Sequence, residues 1–194
     1  FGPIVRGNDG LINKYLGAGF MSLFPNEPEG ALKAAIEIRK ELVVYNQHRG
    51  KVGYKPVDIG IGIHKGPLML GIIGEEKRLE GNVISDDVNT AIVLEKLTET
   101  LGVSILVTQQ TLHAVADFGQ FQHRSLGRIR MEGHDQAIEL YDVFEGDAES
   151  LRIGKEKTKD LFERAIVLYQ EGRFYDAREA FVEVIKQNRQ DKAA

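Results

Sequence analysis

Histidines, paired carboxylates and glycines on one strand face are the residue types in this chain that could do chemistry. His64, His113, His123 and His134 could serve as metal ligands or proton carriers, but they are dispersed and lack the paired spacing of a metal site. Surface or structural roles are expected for them. Asp86-Asp87 looks like a pair of catalytic carboxylates. It follows Ser85 at the start of an apolar-periodic run, where a helix N-terminus favours negative charge, so capping accounts for it. Gly60 and Gly62 alternate with Ile59, Ile61 and Ile63. Two glycines on one face of a strand mean that another backbone or a ligand lies close, or that the strand is thinned to fit a neighbouring helix. The chain has no cysteine, which excludes disulfides, thiolate metal sites and cysteine nucleophiles together.

These residues must be positioned by a mixed set of elements. Leu11 to Pro25 reads as two short strands turning at Gly17-Ala18-Gly19. From Pro28 to Gly50 the apolar positions Leu32, Ala35, Ile36 and Val43 recur at helical spacing. Val57 to His64 alternates as a strand, and Lys65-Gly66-Pro67 is expected to turn it into a second strand, Leu68 to Ile73, as a hairpin. A helix runs from Ser85 to Gly102. After it come a strand at Ser104–Thr108, a short helix at Leu112–Phe118, and two strands, Arg124–Met131 and Ala137–Phe144, around a turn at Gly133-His134-Asp135. This order gives an α+β or α/β class with a partly antiparallel sheet.

Composition narrows the function classes. Hydrophobic residues at 42% and charged residues at 28% are ordinary for a globular chain, which excludes disordered and fibrous classes. With 25 basic and 29 acidic residues interspersed, the net charge of -4 offers no positive field for a phosphate backbone, so nucleic acid is not an expected partner. No apolar run approaches the ~20 residues that cross a bilayer and no signal peptide opens the chain. No membrane segment is expected, and a cytoplasmic location fits the absence of cysteine.

Asn13-Lys14-Tyr15-Leu16-Gly17-Ala18-Gly19-Phe20-Met21 resembles the segment Lys-Tyr-Ile-Gly-Asp-Gly-Phe-Met of class III adenylate and guanylate cyclases. The resemblance continues through Ile59 to Gly66, Gly71-Ile72-Ile73-Gly74, Val83 to Ala91, and Glu139-Leu140-Tyr141-Asp142-Val143. It implies an α+β, ferredoxin-like cyclase fold over residues 1–146, without the family's N-terminal strand and helix. It also implies active sites formed between two domains, hence a homodimer or a heterodimer with another cyclase domain.

In that family the ribose 3'-oxygen attacks the α-phosphorus and pyrophosphate leaves, with two Mg or Mn ions and cationic side chains holding the developing charge. The second metal-binding aspartate falls on Ala18, whose methyl group cannot ligate a cation, so no metal or other cofactor is expected for this chain. The family's asparagine and arginine, four residues apart on one helix face, fall on Asn89 and Val93. An aliphatic residue supplies neither charge nor donor to a phosphate. A lysine near the triphosphate falls on Glu132. Lys14 matches the adenine-reading lysine, and Asn82 takes the place of its aspartate or threonine partner. The candidate nucleotide contacts, to ATP or GTP, are therefore Lys14, Asn82 and Asn89. Alternative readings stay open for two of them: Lys14 as a solvated strand lysine, and Asn89 as a local hydrogen-bonding residue of the helix start. The degenerate positions Ala18, Val93 and Glu132 imply a non-catalytic regulatory, dimerisation or nucleotide-sensing module. An active adenylate or guanylate cyclase, complemented by a partner, is the alternative.

Beyond residue 146 the composition turns basic, and residues 147–159 read as a linker. Residues 160–194 read as two amphipathic helices bending near Gly172, the first burying Leu161, Ala165, Leu168 and Tyr169, the second Ala177, Ala180, Phe181 and Val184. This hairpin resembles a single tetratricopeptide repeat. One such repeat cannot bury its own apolar face, so it should dock on the cyclase core, on another protomer or on further repeats, and a protein partner there is a candidate.

Overall fold

The computed structural model describes residues 1–75, 78–131 and 136–194, with the backbone alone for 72–75 and 78–82. A short helix α1 (Gly2–Gly7) leads into a ribbon of β1 (Leu11–Leu16) and β2 (Gly19–Leu23), paired antiparallel as the sequence pattern anticipates. Helix α2 (Pro28–Lys51) starts on a proline, which has no N–H to leave unpaired, and buries Leu32, Ala35, Ile36, Ile38 and Leu42. Strand β3 (Ile61–Ile63) follows, then a second ribbon of β4 (Met69–Glu75) and β5 (Arg78–Ile84). Helix α3 (Asp86–Leu101) is capped by Ser85 and ends at Gly102 in the left-handed conformation. The chain continues through β6 (Ile105–Thr108), the single-turn α4 (Gln109–His113), a 3-10 turn at Phe118–Gln120, β7 (His123–Ile129), β8 (Ile138–Val143), α5 (Glu149–Gln170) and α6 (Phe174–Gln187).

The central sheet has the order β3-β6-β8-β7, with β3 parallel to β6 and the other pairs antiparallel. One face packs on α2 and α4 through Leu32, Ala35, Ile36, Ile105, Val107, Leu112 and Val143. The other is covered by α3, α5 and α6 through Leu94, Leu106, Leu126, Leu140, Phe162 and Val184. Among the described residues no helix is long and apolar enough to cross a membrane.

Several expectations change. Strand β3 does not form a hairpin with β4: it pairs with β6, while β4 pairs with β5. Alternation identifies a strand but not its partner. The extended segment 57–60 is also held by α2 side chains rather than by a neighbouring strand. Asn46 bonds both the N–H and the carbonyl of Val57 at 2.8 and 2.7 Å, and Arg39 donates to the Ile59 carbonyl at 2.8 Å. The short helix lies earlier than expected, capped by Thr108, whose side chain accepts from the Thr111 N–H. The turn at Gly133-His134-Asp135 lies outside the described residues.

Residues 149–159, read as most of a linker, are the first three turns of α5. Their basic composition resembles a solvated charge run, yet Lys155 is 1% exposed. Its ammonium bridges Asp142 at 2.9 Å and Asp147 at 2.7 Å. Beside it, fully buried Arg124 donates from Nε to Asp142 at 3.0 Å and grips Asp191 with both terminal nitrogens, while its guanidinium stacks 3.9 Å from the Phe162 ring. Burial alone would lower the pKa of Lys155, but Asp142 and Asp147 outweigh it and hold the ammonium above its ordinary value. Three carboxylates and two cations thus join β7, β8, α5 and a C-terminal strap, residues 188–194. The hairpin docks on the cyclase-like sheet of its own chain.

Within the hairpin, Ala165, Leu168, Ala177 and Val184 are buried as expected and Phe162 joins them. Tyr169 is 59% exposed instead: it turns outward and meets Phe174 edge-on at 5.4 Å, at the bend that joins the two helices.

Candidate functional site

The β1–β2 ribbon carries Lys14 and Ala18. Its two-residue turn needs a positive φ at its first position, and Gly17 supplies φ 63° without a Cβ penalty. Ala18 sits exposed at the tip, and Lys14, paired in register with Met21, is also exposed. The ribbon's outer residues are apolar: Tyr15 is 72% exposed, and Leu11 and Leu16 are exposed beside it.

Asn82 and Asn89 flank the junction between the second ribbon and α3. The backbone of Asn82 pairs with Gly71 across the ribbon; its side chain lies outside the described residues, as does Glu132. Asn89 is exposed in the first turns of α3. Val93, one turn later, is partly buried and packs on the apolar cluster of Leu94, Leu126 and Leu140. Its aliphatic side chain suits that environment, which a guanidinium would not.

The glycine question of β3 has a steric answer. A Cβ on Gly62 would lie 2.5 Å from the Glu95 nitrogen and 2.8 Å from Leu94 Cβ, and one on Gly60 would meet the Thr98 hydroxyl. The close neighbour is the backbone of α3, so these glycines set the height of the helix that carries Asn89 and Val93.

Asp86 and Asp87 occupy the first turn of α3, and Ser85 accepts from the Asp87 N–H at 3.1 Å, as capping requires. Pattern reading missed the destination of the Asp87 carboxylate. It meets His64 Nε2 at 3.0 Å, and His64 Nδ1 meets Thr108 Oγ1 at 2.9 Å. A histidine at the end of a strand, followed by Lys-Gly-Pro, carried no sign of a partner 23 residues away. His113 is exposed, and His123 Nδ1 bonds the Phe121 carbonyl at 2.7 Å, which are surface and structural placements respectively. His134 lies outside the described residues. Among the described residues no three His, Asp or Glu side chains gather as a metal site would require.

These elements have a counterpart in known proteins. The family model of the adenylate and guanylate cyclase catalytic domain matches residues 14–144. The chain belongs to that family. It is 35% identical over 140 residues to an adenylate cyclase of Anabaena cylindrica, a match covering 69% of this chain and 28% of that protein. It is 29% identical over 185 residues to the terminal-differentiation-specific adenylate cyclase of Dictyostelium discoideum, covering 92% of this chain and 9% of that protein. The chain thus spans less than a third of either relative.

Among solved structures, a bacterial light-regulated adenylyl cyclase superposes with a TM-score of 0.62 at 25% identity, covering 76% of this chain and 42% of that one. The guanylyl cyclase Cya2 gives 0.61 at 26% identity, covering 73% of each chain. The mixed α+β fold is therefore that of a cyclase catalytic domain. The family match ends at residue 144, before α5 begins.

Proposed function

We propose that this cyclase-family domain is catalytically degenerate and acts as a regulatory, dimerisation or nucleotide-sensing module in cyclic-nucleotide signalling. The observation that carries the reading is at the tip of the first ribbon. The turn that presents a metal-binding carboxylate in the family is intact, with Gly17 in its left-handed conformation, but the residue presented is Ala18. A methyl group has no lone pair for a divalent ion, so the donor set does not fit the two-metal chemistry of the family. Val93 supports the same reading, because its partly buried place in an apolar cluster offers nothing to a phosphate. Lys14 and Asn89, exposed and polar, keep two candidate nucleotide contacts, with Asn82 as the third.

The apolar outer residues of both ribbons, Tyr15 and Leu16 on one and Met69, Leu70 and Ile84 on the other, support pairing with a second cyclase domain. The names of the two adenylate cyclase relatives favour a second reading, an active adenylate or guanylate cyclase that works with a complementing partner.

Titration calorimetry of the full chain with ATP and with GTP tests the sensing role. Binding without product formation is expected, and Lys14→Ala should weaken the ATP affinity about tenfold, the effect of one lost charge-assisted contact. Absence of any nucleotide heat would leave a scaffold and remove the sensing role.

A further inference from the structure

The polar chain around His64 runs from Asp87 through Thr108 and Thr111 to the Lys65 amide. An ionised carboxylate only accepts, so His64 Nε2, on a side chain 4% exposed, must carry a proton and donate it to Asp87 Oδ1. In the Nε2–H tautomer Nδ1 is bare and accepts from the Thr108 hydroxyl at 2.9 Å. With its own proton so used, Thr108 accepts from Thr111 Oγ1 at 3.0 Å, and Thr111 in turn accepts the Lys65 N–H at 2.8 Å. Each donor in this sequence has one acceptor, and the two threonines are fully buried. On the other side of Asp87, Ser85 Oγ lies 3.0 Å from Oδ2 and 2.6 Å from the Pro67 carbonyl. A Cβ on Gly66 would fall on the Asp87 carboxylate, which keeps that position open for it.

Pro67 and Ser85 are the two roots of the β4–β5 ribbon, Met69 to Ile84. The network therefore ties both roots to the first turn of α3 and to the end of β6. Position 82 lies three residues before Ser85, and Asn89 lies one turn beyond it. We infer that His64 is a positioning residue: by orienting Asp87 it registers the β4–β5 ribbon against α3, so that positions 82 and 89 keep a fixed relation in a nucleoside triphosphate site. The nucleotide part of this inference rests on the sensing role proposed above.

The test uses the full chain, labelled with nitrogen-15, and ATP as the probe. Long-range proton–nitrogen spectra should show His64 protonated on Nε2 with Nδ1 as an acceptor. Asp87→Asn should release that preference, since an amide can both donate and accept. His64→Ala should speed amide exchange at Asp87 and Val88 at least about tenfold while β6 amides hold, and weaken ATP binding about tenfold. His64→Gln, whose amide can still donate to Asp87, should stay within about threefold of the parent in both. An Nδ1-protonated His64, or parental exchange at Asp87 and Val88 in His64→Ala, overturns the inference. If the alanine variant does not fold, the glutamine and Asp87→Asn spectra decide it. A parent chain that binds no ATP would defeat the sensing role, while the tautomer and exchange data still decide the part played by His64.

Discussion

Asp191→Ala is expected to lower the unfolding free energy by about 3–5 kcal/mol, seen as a large drop in the urea midpoint, because it leaves a buried guanidinium with neither terminal nitrogen paired. Arg124 is fully buried in β7 and stacked on Phe162, so it cannot swing out to water when its partner is lost. Asp142 still accepts from Nε, but both terminal nitrogens depend on Asp191. The same carboxylate anchors the strap after α6, so its loss should also loosen the hairpin from the sheet. Glu179→Ala is the contrast. Its pairing with Arg178 is 55% and 72% exposed, and a surface pair of that kind contributes at most about 0.5 kcal/mol after screening.

Gly62→Ala is expected to cost about 2–4 kcal/mol, an overpacking penalty at the upper end because the obstacle is helix backbone rather than a flexible side chain. The added methyl would meet the Glu95 nitrogen, Leu94 Cβ and, closer still, the Ala91 carbonyl. Relief requires moving α3 away from β3, which displaces Asn89 with it. Gly71→Ala, where a Cβ meets nothing within 4 Å, should change stability by less than about 0.5 kcal/mol. Thermal or urea unfolding of the three proteins measures both values.

These two sites mark what could and could not be read from the chain as text. Local signals were sufficient for several element boundaries: the Gly17 turn, the proline start of α2, the Ser85 cap and the Gly102 stop each depend on a few adjacent residues. The family motifs that single out Ala18, Asn89 and Val93 each fall within a single element, the turn of the first ribbon and helix α3. Pairing was less legible. Alternation in Val57 to His64 and Leu68 to Ile73 shows two strands, but a short turn between them suggested a hairpin where the register belongs to β6. The β5 strand, which is the true partner of β4, went unread.

Long-range electrostatics left no local trace at all. Arg124 and Asp191 are 67 residues apart, and the basic run containing Lys155 has the composition of a solvated linker. His64 looked like a stray histidine for the same reason, since its partners Asp87 and Thr108 lie on two other elements. Buried polar groups need partners. Burial itself becomes visible only once the sheet is assembled.

The proposed degeneracy of the domain rests on Ala18, at the tip of the first ribbon, and Val93, on helix α3. Assay of cyclic nucleotide formation by the purified full chain, with manganese and either ATP or GTP, tests that claim most directly. The expected result is no cyclic AMP or cyclic GMP above the protein-free blank from this chain alone. Sustained turnover by the chain alone would contradict the account.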